Sequence, residues 1–450
     1  MSKLMQKVYI SILNPIYDKA ISGISEEKRD SYVRFLFLLL QFYFILFFSK
    51  AFKPILFTHG QRMIAADVIF VLIALFSMKG PLEIAKWKKR IFIPMIMSAL
   101  GVIITGLMHP LGSGYLLFGA SLLIVYPCFY LVWNNRKDYE TLFDIVAETN
   151  IRVGNIYFLY TLLIFPEELL RLNGERFRAT IGDPNLYSLV GMAMVCSAAY
   201  MFYRGRKNKM KIAYCTASAI VGLIVVLLGQ SRSGMLVCIG AIFFVYVFIL
   251  KARINGKANA VKQAAAMLFI TIIFSAAISA GTLPGYAEES EEAAAESTEE
   301  TAVDDNFADR FSVEGKDLNT FTSGRVEIWK NYARHLNMTG NNFNEIDWTE
   351  MTNDTVKHAH NNFLEYGYRC GVPVALAFTI LELFAGLMSL KYLFSRKWNR
   401  ECYLFAVISM FMYAVMSLLD IATIPMERYA PFCFYIILSV MIDANENDIV

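Results

Sequence analysis

The segment "RGRKNKMKIAYCTASAIVGLIVVLLGQSRSGMLVCIGAIFFVYVFILKARINGK", residues 204–257, decides the fold. It holds two apolar runs, at about 211 to 229 and 233 to 250, each close to the ~20 residues that an α-helix needs to cross a bilayer. A short Gly-Gln-Ser-Arg-Ser turn joins them, and basic loops flank them, "RGRKNKMK" (204–211) and "KARINGKANAVK" (251–262). Lysine and arginine of short loops are retained on the cytoplasmic side. The hairpin therefore crosses outward, turns at Ser231-Arg232 and returns.

The same pattern extends along the chain. Further apolar windows lie at about 33–52, 63–78, 91–108, 114–133, 144–165, 186–203, 264–283, 361–390, 402–420 and 426–442. The window at 63–78 is short for a span and that at 361–390 is long, so a tilted or partly interfacial segment fits either place. Every second loop is basic, including "KGPLEIAKWKKR" (79–90) and "KYLFSRKWNR" (391–400), with a weaker Arg136-Lys137 between them. With 56% hydrophobic residues and a mean hydropathy of +0.44, the 450-residue chain is too apolar for one water-soluble core. The expectation is an all-α polytopic membrane protein of about twelve transmembrane helices with both termini cytoplasmic.

The resulting organisation is a cytoplasmic segment over 1–32 that can form an interfacial helix, nine spans over 33–283, and a large outer loop over 284–360. Three spans over 361–442 and a cytoplasmic tail over 443–450 complete it. No cleavable signal peptide is visible in the N-terminal residues. From Pro284 to Lys357 the loop carries 17 acidic and 6 basic residues, a charge of 6 − 17 = −11, against a net +3 for the chain. Residues 288–305, "EESEEAAAESTEETAVDD", read as solvated and mobile, whereas "TFTSGRVEIWKNYARHL" (320–336) has the apolar spacing of a short amphipathic helix. All seven cysteines fall in apolar windows, so neither a disulfide framework nor a Cys-x-x-Cys metal pair is expected.

Four places hold polar groups at the outer side, where a charge near hydrocarbon costs about 2.5–3.5 kcal/mol. In "NGERFRATIGDPNLYSLVG" (173–191), Arg176 and Arg178 precede an Asp-Pro-Asn helix start; interfacial arginines on lipid headgroups and an anion site both fit. Arg232 is the only charge between Lys211 and Lys251, in a turn that glycine and serine alone could make. Arg325 opens the loop helix, where pairing with Glu327 is the plainer reading. In "VKHAHNNFLEYGYRCGVPVALAF" (356–378), His358 reads as an anchor. His360 precedes Asn361, a helix cap, and Glu365 stands at i, i+4 to Arg369. His358 and His360 are two apart and do not share a helix face, which disfavours metal. Asp67, Glu382, Asp420, Glu427 and Arg428 are structural pairs or cavity-lining groups, with Arg428 a candidate for sugar contact. Arginines suited to phosphate oxygens and one imidazole able to act as a base, all on one membrane side, fit an anionic lipid-linked substrate.

With these motifs in place the chain resembles the O-antigen ligase and polymerase family of bacterial membrane glycosyltransferases. The likeness rests on the Gly-Asp-Pro-Asn segment, the Ser-Arg turn, the Ser-Gly-Arg of the outer loop and the His-Asn helix start. The family's ligase spelling is His, then Asn, Ser or Gln, nine residues, and Gly-x-x-Gly. Here His360-Asn361 lead to Gly371, but Val374 replaces the second glycine, which favours polymerase over ligase modestly. The resemblance implies a GT-C-like helical fold and transfer of a glycan from undecaprenyl diphosphate to a sugar hydroxyl at the outer face of the cytoplasmic membrane. It implies an inverting reaction with no metal, no nucleotide sugar and no other cofactor. Arg178 and Arg232 would hold the diphosphate and His360 would deprotonate the hydroxyl, with Arg325, Asn361, Arg176 and Arg428 positioning substrate. Implied partners are the lipid-linked donor, a glycan acceptor, membrane lipid, and a flippase and chain-length regulator; nucleic acid is not among them. The implied product is a surface polysaccharide of O-antigen, capsule or exopolysaccharide type. A flippase or exporter of the same glycan, and a non-catalytic scaffold, are the competing classes. The first predicts charges near mid-membrane, and the second leaves Arg232 and His360 unexplained.

Overall fold

The structure is a computed structural model that describes residues 2–48, 59–109, 113–166, 176–181, 183–254, 324–341, 358–394, 401–420, 423 and 428–444. Among them the regular structure is helical, apart from one isolated antiparallel bridge between Trp87 and Asp443. In chain order the helices are α1 (Ser2–Ile16), α2 (Glu26–Phe48), α3 (His59–Ser77), α4 (Lys89–Met108), α5 (Ser113–Leu123), α6 (Val125–Arg136) and α7 (Tyr139–Ile164). There follow α8 (Pro184–Arg204), α9 (Lys209–Leu228), α10 (Arg232–Ile254), α11 (Arg325–Arg334), α12 (Asn362–Cys370), α13 (Val372–Phe394), α14 (Tyr403–Leu419) and α15 (Tyr429–Ile442).

Among the described residues seven helical segments are long and apolar enough to cross a membrane, and α14 and α15 are shorter apolar helices. α2 and α7 occupy two further apolar windows but open on charged turns, Glu26 to Asp30 and Glu140 to Glu148. The window at 264–283, the basic loop at 391–400 beyond Phe394, and the acidic stretch 288–305 lie outside the described residues. Two windows differ in detail from the sequence reading. That at 114–133 is interrupted at Ile124 between α5 and α6, and that at 361–390 is two helices, α12 and α13, separated at Gly371.

α15 is the centre of the bundle: it is apolar all round, and every residue from Tyr429 to Ile442 is buried. Phe432 meets Phe37, Phe44 and Phe70 edge-on, while Phe434 stacks on Tyr413 with centroids 4.0 Å apart. Lipid tails are as apolar as these rings, so helices in a bilayer associate by close packing and polar contacts.

The basic loops share one end. Lys88 N–H donates to Ile442 O (2.8 Å) and Ala444 N–H to Lys86 O (2.9 Å), tying the chain after α15 to the α3–α4 loop. Beneath them Trp87 donates to Asn134 (2.7 Å), Asn134 to Ser439 O (2.7 Å), and Tyr139 to Asp443 (3.0 Å). At the same end Arg204 pairs with Asp144 (2.9 Å) and Glu401 (2.9 Å), which also binds Arg206. α1 is fastened along the α3–α4 loop by reciprocal amide bonds of Gln6 with Ala85 and of Asn14 with Leu82, leaving Leu4, Val8, Ile12 and Ile16 exposed in a stripe.

The Gly-to-Val departure has a packing explanation. A Cβ on Gly101 of α4 would lie 2.5 Å from the Val374 Cγ2 of α13, so the small residue at this helix crossing stands on the partner helix. Gly101→Val is expected to destabilise the fold by about 1–3 kcal/mol through overpacking, and adding Val374→Gly should recover most of the loss. Thermal unfolding of the detergent-solubilised protein checks this; a wild-type melting temperature for Gly101→Val would refute the crossing. Gly371 is required for a different reason. Its φ is +89° and a Cβ there would lie 2.6 Å from Met338 O. The turn after α11 caps the α12–α13 break, with Val372 N–H on Asn337 O (2.9 Å) and Asn341 N–H on Tyr368 O (2.8 Å).

Candidate active site

At the end opposite the basic loops, five segments meet. The first, residues 176–181, is fixed by Phe177 N–H donating to Leu228 O (2.9 Å) and Tyr157 OH paired with Thr180 (3.1 Å). Asp183 then caps α8, accepting from Asn185 N–H (2.8 Å) and Leu186 N–H (3.3 Å), with Pro184 in the first turn. Arg176 spends donors on structure, Nε to Gly229 O (3.1 Å) and Nη2 to Asn185 Oδ1 (2.6 Å). Arg178 is exposed beside it. The sequence treats these two arginines alike; the fold makes Arg176 a brace between the α9–α10 turn and the start of α8, and leaves Arg178 on the surface.

The second segment is that turn. Gln230 has φ +47°, and Ser231 Oγ caps α10 by accepting from Gly234 N–H (3.1 Å). Arg232 is thus the first residue of α10, half-buried. The third is the start of α11, where Gly324 at φ +77° puts Arg325 in the first turn. A helix N-terminus already carries partial positive charge and disfavours cations. Two arginines at two helix N-termini make an anion site by both the dipole and the side chains. Burial pushes the Arg325 guanidinium down, Asp420 pulls it up, and Arg232 pushes it down again, which places Arg325 within the field of both. Asp420 and Arg232 thus both act on Arg325 electrostatically, where its sequence context suggested pairing with Glu327.

The fourth segment carries the histidines. Asn361 caps α12 through Leu364 N–H (3.1 Å) and reaches Leu418 O (3.4 Å). His360 precedes it at φ +49°, a left-handed conformation that costs a non-glycine residue about 1–3 kcal/mol. Its Nδ1 lies 3.4 Å from Asp420 Oδ1, without the alignment of a formed hydrogen bond. Catalytic hydrogen bonds are often loose before substrate binds. His358 instead contacts Glu365 (3.2 Å), as its anchor reading requires. Among the described residues the left-handed non-glycine positions are Lys137, Ala179, Gln230 and His360, and the last three fall on the segments that converge here.

The fifth segment, between α14 and α15, supplies Asp420 and Arg428. Asp420 is buried at the end of α14, 3.9 Å from Arg428 Nη1 as well as beside His360. His360, Arg428 and Arg325 all act on its charge electrostatically. Asp420 is thus the anion about which the cations gather. Its sequence setting at the end of an apolar run shows a charge with no stated partner, and only the fold brings His360, Arg428 and Arg325 to it. Arg428 also lines a small, largely apolar cavity of about 40 Å³, between Phe44, Ile45, Val153, Leu189 and Tyr429. Of the other ambiguous charges, Asp67 pairs with Ser121 (2.6 Å) and Glu382 accepts from Tyr413 (2.7 Å), while Glu427 is outside the described residues.

Fold and site together define a polytopic helical membrane protein with a cationic cluster, a carboxylate and an imidazole at one end. Residues 217–379 match the family model described as O-antigen ligase, a segment that contains Arg232, Arg325, His360 and Asn361. The match covers about a third of the chain and shows a likeness to that family over this segment. No curated protein matches the sequence.

Proposed function

We propose that the protein is a glycosyltransferase that polymerises undecaprenyl-diphosphate-linked oligosaccharide units into a surface polysaccharide. It works at the outer face of the bacterial cytoplasmic membrane through about twelve spans, with both termini inside. The observation that carries this reading is the approach of Arg325, Arg428 and His360 to one buried carboxylate, Asp420, with Arg232 in the same field.

In the reaction the acceptor hydroxyl attacks the anomeric carbon and the carbon–oxygen bond to the diphosphate breaks with inversion. His360 takes the hydroxyl proton, and Arg232 with Arg178 compensates the charge that builds on the departing lipid diphosphate. Arg325 and Arg428 position the glycan, Asn361 fixes the start of α12 beneath the base, and Arg176 shapes the turn that presents Arg232. None of these steps calls for a metal. The ligase description of the matching family supports the second reading, transfer of a finished glycan to a different acceptor.

Deleting the protein from its native cell separates the two readings. Accumulation of single lipid-linked units with loss of the glycan ladder is the polymerase outcome, and long lipid-linked chains without attachment are the ligase outcome. An unchanged surface glycan would reject both.

A further inference from the structure

Beneath the proposed site lies a buried polar cluster. Glu365 is fully buried on α12 and both its oxygens are used. Oε2 accepts the Ala359 N–H (2.9 Å); Oε1 accepts from Arg369 Nε and Tyr115 OH (3.3 Å) and meets His358 Nδ1 (3.2 Å). Arg369 lies over the Tyr115 ring, 5.6 Å from its centroid. Its own peptide is wedged against Gly340, where a Cβ would lie 2.4 Å from Arg369 O. The cluster is therefore anchored to α5 and to the turn that follows α11.

His360 sits between two attachments to one helix turn. Upstream, Ala359 N–H and His358 are held by Glu365; downstream, Asn361 caps α12. A left-handed histidine persists only where its surroundings over-determine it. A buried ion pair is a poor source of stability, since apolar residues of similar volume often serve as well or better. What Glu365 supplies that an apolar residue could not is an acceptor for the Ala359 N–H.

We infer that Glu365, held by Arg369 and Tyr115, is a positioning residue that sets the left-handed backbone of His360 and so aims its imidazole at the site. This rests on the reading of His360 as the base.

The test compares two double variants of the full chain in proteoliposomes, with lipid-linked glycan extracted from cells lacking the protein as donor. Glu365→Gln/Arg369→Met removes the ion pair and keeps an acceptor for Ala359. Glu365→Leu/Arg369→Met removes both. The first should retain transfer within about fivefold of wild type, and the second should lose on the order of 10²-fold at an unchanged melting temperature, the cost of misplacing a reacting group. Equal rates for the two folded variants would overturn the inference. His360→Asn in the same assay separates the two levels. Wild-type activity there rejects the reading of His360, whereas its loss together with equal double variants rejects only the role of Glu365. Amide exchange of the peptide His358–Asn362 is independent of whether the Leu/Met variant folds. A protected Ala359 amide in the wild type supports the inference, and exchange at the rate of an open loop overturns it.

Discussion

His360→Asn is expected to lower glycan transfer by about 10²–10⁴-fold, the usual contribution of a positioned base, at normal membrane abundance and with donor binding retained. Asparagine suits this test better than alanine because it tolerates the left-handed backbone at φ +49° and should leave the Asn361 cap and the start of α12 undisturbed. The diphosphate contacts assigned to Arg178 and Arg232 stay in place, so the loss should fall on turnover rather than on affinity. The check is the glycan ladder of a deletion strain carrying the variant, together with the transfer rate on extracted donor. A ladder of wild-type density and length would remove His360 from the mechanism.

Asp420→Asn is expected to damage stability as well as activity. Removing one partner of a buried charge cluster leaves the others uncompensated, at a cost of about 3–5 kcal/mol. The 3.9 Å separation from Arg428, whose side chain is 16% exposed, puts this case near the lower end, about 3 kcal/mol. Inorganic pyrophosphate should raise the melting temperature of the variant more than that of the wild type, because the cationic cluster then lacks its internal anion.

The helical architecture was legible because the bilayer imposes a long apolar period and charge selects the loops. Windows such as 211–229 and 233–250 became α9 and α10 with little change. The break at Gly371 was only partly legible. Gly371 and Pro373 weaken a helix there and the window is long, but the place of the division is set by the distant turn at Asn337 to Asn341, which docks against that point and requires a left-handed glycine. Val374 shows the same limit: read alone it departs from a motif, and only the crossing of α4 reveals Gly101 as its small partner.

The site divides along the same line. Arg232 and His360 could be singled out from sequence because a cation or imidazole at a membrane boundary needs a local reason, and that reason is visible in neighbouring residues. Arg176 and Arg178 are two apart and chemically identical, so their separation into a brace and a surface cation depended on Gly229 and Asn185.

By itself the sequence determined that this chain is a bundle of membrane helices, and that basic loops gather at one end while special polar groups gather at the other. These follow from transfer free energies that act residue by residue. Tertiary structure alone decided that Asp420, Arg428, Arg325 and His360 are neighbours and that Glu365 faces inward to hold Ala359. The approaches of His360 and Arg325 to Asp420 join residues 60 and 95 apart, and the Glu365 contact depends on the direction of one side chain; no local free energy in the sequence encodes them.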